Sequence, residues 1–228
     1  MTANQPITAV VLAGGRSQRF GDAPKATATL DGRPLVDRVV TRVRTTTERQ
    51  PVVAAGPADK RTVIDNALSH DVRYTADADW CDGPLAGICG ALDSISTAAV
   101  FLCGCDMPLV SPRAVSWLAD HHATAATDAT VPMDATGESQ LLHGVYRTAA
   151  LVEYCDRRPD THRLRSIVTE LSSTAVRPTA TPDDVDLTRS MTNVNTRREL
   201  AAIEHPEFTN DVGLELQPPA PAREQSTD

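Results

Sequence analysis

Two glycines, a lysine and an aspartate are the residues of this 228-residue chain whose types and spacing point to chemistry. Ile7 to Leu12 is an apolar, β-branched run that reads as a buried strand. It stops at Gly14-Gly15, where glycine lets the backbone approach a ligand closely. Arg16, Arg19 and Lys25 then bring three cations to the same turn. Bare amides and fixed positive charge at the carboxyl end of a strand suit a nucleoside triphosphate. The stretch is not a Walker A loop, because no Gly-Lys-Ser/Thr follows, and it lacks the G-x-G-x-x-G of a dinucleotide loop. The plainer alternative is a glycine turn with a solvated basic rim. Asp106 follows a second apolar run, Ala99 to Cys103, with two residues between them, and this places a carboxylate at the same edge of a parallel sheet. A carboxylate there can hold Mg²⁺ together with substrate phosphates, or it can simply form the turn before Met107-Pro108.

Leu12, Ala13, Gly14, Gly15, Ser17, Arg19, Gly21 and Lys25 match L-A-G-G-x-S-x-R-x-G followed by a lysine. This stretch resembles the opening of the MobA-like nucleotidyltransferases, the family that includes molybdenum cofactor guanylyltransferase. Sugar-phosphate nucleotidyltransferases share a looser version of it. Pro24 stands where the family commonly has Asp, which stiffens the approach to Lys25. Three further segments resemble the family in the same order: Gly83-Pro84-Leu85-Ala86-Gly87, Cys105-Asp106-Met107-Pro108 and Asn193-Val194-Asn195-Thr196. Gln140 to Arg147 resembles a family segment that usually begins Gln-Pro-Leu, with Leu141 in place of the proline. The resemblance runs from about Ile7 to Glu204.

The resemblance implies a three-layer, Rossmann-like α/β nucleotidyltransferase fold with a mainly parallel sheet. It implies GTP as donor, and molybdopterin or another phosphorylated acceptor. Leu12, Ala13, Gly14, Gly15, Lys25, Gly83, Pro84, Leu85 and Asp106 would bind the nucleotide. An Asp a few residues before the Gly-Pro pair would read guanine; Asp77 and Asp79 are both candidates, and spacing favours Asp77. Asp106 would bind Mg²⁺, Lys25 and Arg19 would act with it in catalysis, and Asn193 and Asn195 would face the acceptor. Proteins of the molybdenum cofactor pathway are then the expected partners. Another phosphorylated acceptor, or nucleotide binding without turnover, are the competing readings.

Elements must position these residues. Pro34 opens a helix with Leu35, Val36, Val39, Val40 and Val43 on one face, after a tight turn at Asp31-Gly32. Pro51 to Ala55 and Val72 to Thr75 read as strands, with a helix over Ala58 to Leu68 between them. Pro84 starts a helix to about Ile95, and Ser111-Pro112 caps one through Asp120. Thr130 to Met133 and Gln140 to Tyr146 are strands; Ala149 to Cys155 and Leu164 to Leu171 are helical. Ser173 to Arg177 is a last strand and Thr196 to Ile203 a last helix. Strands alternating with helices at this spacing predict an α/β sandwich with a mainly parallel sheet. One domain over 1–208 is expected, with a disordered tail over 209–228, where Pro218, Pro219 and Pro221 sit among polar residues.

Composition narrows the partners. A net charge of −8 argues against nucleic acid. No apolar run long enough to span a membrane is present and MTANQPITAV lacks a secretory layout, so a cytoplasmic protein is expected. Only two of the 22 cationic residues are lysines, Lys25 and Lys60, which makes a lysine beside the glycine loop notable. The five cysteines, Cys81, Cys89, Cys103, Cys105 and Cys155, are expected to be free thiols, because they form no regular framework. His121 and His122 are expected to be exposed at a helix end.

Overall fold

The structure is a computed structural model that describes residues 6–15, 24–47, 49–159 and 163–204. Ile7–Leu12 forms β1, buried over its first five residues. A 3-10 turn at Lys25–Thr27 precedes a hairpin of β2 (Thr29–Leu30) and β3 (Arg33–Pro34). Asp31 and Gly32 close that hairpin at φ of 50° and 71°, the left-handed values that a two-residue hairpin turn requires. The chain then enters α1 (Leu35–Arg44), where all five apolar residues of the expected face are buried.

The alternation continues through β4 (Val52–Ala54), α2 (Ala58–Asp65), β5 (Arg73–Thr75), α3 (Gly83–Leu92), β6 (Ala99–Gly104) and α4 (Pro112–Thr124). It ends with β7 (Ala129–Pro132), β8 (His143–Arg147), α5 (Thr148–Asp156), α6 (Arg165–Glu170), β9 (Ser173–Val176), α7 (Leu187–Ser190) and α8 (Arg197–Glu204). β8 begins later than expected because residues 141–142 form a turn, closed by the His143 N–H donating to the Gln140 carbonyl at 3.0 Å.

Strands β5, β4, β1, β6, β8, β7 and β9 lie side by side in that order. Every pairing is parallel except the two made by β8, which runs antiparallel to both β6 and β7. Alternate side chains of each strand point to opposite faces. Ile7, Ala9 and Val11 pack with the apolar faces of α1 and α4. Val10, Val52, Val100 and Leu102 pack with α3, α5 and α6 on the other side. Three layers result, with helices on both faces. From β1 the chain moves outward to β4 and β5, then returns past β1 to β6. That reversal opens a crevice between the carboxyl ends of β1 and β6, the place where open α/β sheets bind ligands.

Three local expectations are corrected. Cys89 and Cys155 form a disulfide, and only Cys81, Cys103 and Cys105 are free thiols. The partners are 66 residues apart in sequence, but α3 and α5 pack against each other and bring their Cα atoms to 5.8 Å, within disulfide range. His122 is buried, not exposed, because α4 runs on to Thr124 and its last turns lie against β7. Its Nδ1 lies 3.1 Å from Thr130 Oγ1, while His121 stacks on Trp117. Ser111 makes no side-chain cap on α4; its N–H instead donates to Ser190 Oγ at 2.8 Å. No helix among the described residues is long and apolar enough to cross a membrane. Residues 209–228, the expected tail, lie outside the described residues.

Candidate active site

The crevice is built from loops that leave three neighbouring strands. The Leu12 carbonyl accepts from Cys105 N–H at 3.0 Å, and Ala13 N–H donates to the Ala54 carbonyl at 2.9 Å. Beyond that point Gly14 passes so close to Gly56 that a Cβ on Gly14 would come within 2.9 Å of the Gly56 nitrogen. Glycine is required there for backbone approach. Gly15 is exposed at the rim, Leu12 is half-buried and Ala13 is buried. Arg16, Ser17, Arg19 and Gly21 lie outside the described residues.

Asp106 stands just after β6, and its carboxylate folds back over Gly104. Any Cβ on Gly104 would collide with Asp106 Oδ1. Lys25 Nζ donates to Asp106 Oδ2 at 2.7 Å and to Asn195 Oδ1 at 3.0 Å. Both ends of the ion pair are mostly shielded, with side chains 13% and 26% exposed, so the pair is held more firmly than a surface salt bridge. Asn195 is aimed by its own segment. Val194 N–H donates to the Asp106 carbonyl at 2.8 Å, and the Val194 side chain is buried with Leu30, Leu35, Leu109 and Leu200. Glu199 Oε2 accepts from the N–H groups of Asn195 and Thr196, while Thr196 Oγ1 accepts from Glu199 N–H at 3.1 Å. This reciprocal capping box starts α8 and fixes the backbone on which Asn195 sits. Asn193 is half-buried two residues upstream.

The helix α3 closes another wall. Gly87 packs against Leu12 and Ala54, and a Cβ on it would meet both at 3.1 Å. Ala78 N–H donates to the Ala86 carbonyl at 2.9 Å, which ties the segment after β5 to α3. That segment separates the two candidate aspartates. Asp77 oxygens lie 3.5–3.6 Å from the Cβ positions of Gly87, on α3, and Gly56, the glycine that abuts Gly14. Desolvation raises the Asp77 pKa, and the Lys60 charge opposes the rise. Asp79 lines a cavity of about 850 Å³ that reaches away from the loop, past Trp80 and Gly90 to Cys155 and Arg158; Asp77 borders it too. Gly83 and Pro84 are exposed at the start of α3, whereas Leu85 is fully buried in the core.

Lys60 also reaches the crevice, although no motif in the sequence marks it. Its Nζ donates to the carbonyls of Gly14 at 2.8 Å and Gly15 at 3.3 Å, so both lysines of the chain reach this crevice. The rarity of lysine was the available signal, but nothing local tied position 60 to the glycine loop. Cys103 and Cys105 carry protonated, inert thiols: burial, with the Asp106 charge adding to it, pushes Cys105 up to about 12, and Cys103 is raised as well. Among the described residues, no group of three His, Cys, Asp or Glu side chains is placed to hold a metal ion by itself. Asp106 nonetheless has the hard oxygen donors that Mg²⁺ favours, and such an ion commonly completes its shell with water and phosphate.

The sequence profile of the MobA-like NTP transferase domain matches residues 9–175. The chain belongs to this family. It is a nucleotidyltransferase with the family's three-layer fold. A probable molybdenum cofactor guanylyltransferase of Natronomonas pharaonis is 32% identical over 73% of this chain and 80% of its own length. One from Haloferax mediterranei is 36% identical over 48% of this chain, and the match spans 51% of that relative. Among solved structures, molybdopterin-guanine dinucleotide biosynthesis protein A of Archaeoglobus fulgidus superposes with a TM-score of 0.71 at 21% identity, over 90% of this chain and all of that one. A Mycobacterium tuberculosis protein solved in complex with manganese superposes at 0.57 with 19% identity, over 86% of this chain and 99% of that one.

Proposed function

We propose that this MobA-like enzyme transfers GMP from GTP to the terminal phosphate of molybdopterin and releases pyrophosphate. The observation that carries the reading is the meeting of Lys25, Asp106 and Asn195 at the β1/β6 crevice, beside the glycine loop. The names of the relatives support the same donor and acceptor. An acceptor phosphate oxygen attacks the α-phosphorus of GTP as the bond to the bridging β-phosphate oxygen breaks. That oxygen is already anionic, so no strong base is needed, and bringing anions together in line is the main barrier.

The residues divide that task. The backbone of Leu12, Ala13, Gly14 and Gly15, with Arg19, holds the triphosphate. Lys25 follows the charge as it moves toward the leaving pyrophosphate. Asp106 would hold Mg²⁺, which when bound supplies further charge neutralisation on the phosphates; the manganese complex of a structural neighbour is in keeping with a divalent ion. Asp77 accepts from the guanine N1–H and exocyclic amine, a donor pair that adenine lacks, and Gly83 to Leu85 shape the base pocket with Asp79 at its outer edge. Asn195 and Asn193 face the acceptor. Turnover belongs to residues 1–208 in the cytoplasm, and removing Pro218–Asp228 leaves it unchanged.

The test is product mass analysis with GTP, ATP or CTP, Mg²⁺ or Mn²⁺, and acceptors that include molybdenum-loaded molybdopterin, a sugar phosphate and a cobinamide phosphate. The expected product is the guanine dinucleotide of molybdopterin, with pyrophosphate released in equal amount. A different preferred nucleotide or acceptor replaces the substrate assignment, and the absence of any pyrophosphate release refutes turnover.

A further inference from the structure

Lys60 lies on α2, well outside the segments that carry the family resemblance, yet its ammonium reaches the centre of the glycine loop. The two acceptors are consecutive carbonyls, those of Gly14 and Gly15. Glycine peptide planes rotate easily, so a loop of this kind has several accessible orientations. Two carbonyls converging on one point repel each other unless a cation sits between them. In a trans peptide the carbonyl and the following N–H point in opposite directions. Turning the Gly14 carbonyl toward α2 therefore turns the Gly15 amide away from it. The helix is a firm anchor: it follows directly on β4, where Ala54 bonds Ala13 and Gly56 abuts Gly14.

We propose that Lys60 is a positioning residue for the nucleotide's phosphates, clamping the Gly14 and Gly15 carbonyls on the α2 side so that the loop amides are presented to the triphosphate. The proposal rests on the reading that this crevice binds a nucleoside triphosphate. Lys60 acts through the loop and does not touch the reacting atoms. Its role thus differs from that of Lys25, which sits on Asp106. Loss of the clamp weakens triphosphate binding and leaves the chemical step largely intact. A methionine at this position keeps the stem and the helix propensity without the charge, whereas an arginine keeps the charge and two donors.

The experiment compares wild type, Lys60→Met and Lys60→Arg. Binding of Mg-GTP and of guanosine is measured by calorimetry, pyrophosphate release gives kcat and KM, and thermal melting monitors the fold. Lys60→Met is expected to raise both Kd and KM for Mg-GTP by about tenfold to thirtyfold, the scale of lost charge-assisted hydrogen bonds, with kcat within about threefold. Guanosine affinity should change by less than about twofold and melting by less than about 2 °C, as suits a half-buried surface lysine. Lys60→Arg should recover GTP affinity to within about threefold of wild type. The proposal is overturned if Lys60→Met binds Mg-GTP as wild type does, if Met and Arg lose equally, or if guanosine and GTP lose equally. If wild type prefers another triphosphate, the same comparison is read with that nucleotide, and only the guanine assignment falls. If wild type binds no triphosphate, both the proposed function and the Lys60 clamp fall.

Discussion

Lys25 is shared between a carboxylate and an amide that come from distant parts of the chain, 81 and 170 residues away. The sharing predicts how the residue fails. Lys25→Ala should cut kcat in pyrophosphate release by about a hundredfold with a smaller change in GTP affinity, because the lost charge matters most as the leaving group departs. Melting should fall modestly, because Asp106 loses a shielded partner but, at 26% exposed, regains some water. Near-normal kcat with an unchanged melt would move the role to Arg16 or Arg19. Asp106→Asn should keep the fold, since an amide fits the space over Gly104, and should lose about a hundredfold or more of divalent-dependent turnover. Full activity from a folded Asp106→Asn protein would remove the carboxylate from the reaction. At this scale Lys25, Asp106 and Asn195 stand out in the sequence through their neighbours in motifs, and the fold brings the three side chains together. Asp77 and Asp79 lie two residues apart in one loop; spacing favours Asp77, and the fold sets the Asp77 carboxylate beside Gly56 and Gly87.

At the scale of elements, two devices hold the crevice's walls. The Thr196–Glu199 capping box starts α8 and carries Asn195. Thr196→Ala and Glu199→Ala should each cost about 1 kcal/mol by denaturant unfolding and should also lower kcat, while Thr196→Ser should restore both. A stability loss without any change in kcat would separate the box from the placement of Asn195. The Cys89–Cys155 disulfide ties α3, which forms the crevice wall, to α5. Thiol titration of the unreduced, denatured protein should find three free thiols, Cys81, Cys103 and Cys105. Cross-linking over 66 residues removes about 4 kcal/mol of unfolded-chain entropy on the simplest estimate, so Cys155→Ser should melt several degrees lower. Five titratable thiols, or an unchanged melt in Cys155→Ser, would contradict the bridge. Helix faces and strand runs were legible from periodicity. The disulfide was not, because it depends on which helices lie side by side.

The whole molecule couples its interior to pH through His143. This residue is fully buried on β8, edge-on to Phe101, with Nε2 3.0 Å from Ser190 Oγ. Nδ1 has no hydrogen-bond partner among the described residues. Burial brings its pKa down to about 3, against about 6.5 for an unfolded chain. Below pH ~6.5 the unfolded state takes up a proton that the folded state refuses, so stability falls as pH drops from there toward about 3. The slope for one such site approaches about 1.4 kcal/mol per pH unit. Burial lowers the pKa of His122 as well and adds in the same direction. Urea midpoints between pH 7.5 and 4.5 should therefore fall steadily for wild type and more shallowly for His143→Gln. Parallel slopes would show that the His143 imidazole is not linked to folding.

The amino-acid order by itself determined what depends on near neighbours. Apolar runs and helical spacing specify β1, β6, α1 and most other elements, because burying one face dictates a period of two or 3.6 residues. Glycine pairs and the residues beside them mark the loops, because backbone permissiveness and steric close approach are local properties. Their alternation was enough for a mainly parallel sheet, though not for the antiparallel β8, whose direction depends on the path of the connecting loops. Only the tertiary structure decided which distant groups meet. It joined Lys25 to Asp106 and Asn195, brought Lys60 to the Gly14 and Gly15 carbonyls, paired Cys89 with Cys155, and buried His122 and His143. Those meetings follow from how layers pack on one sheet. Short-range forces then act between side chains separated by dozens of residues in sequence but only a few ångströms in space.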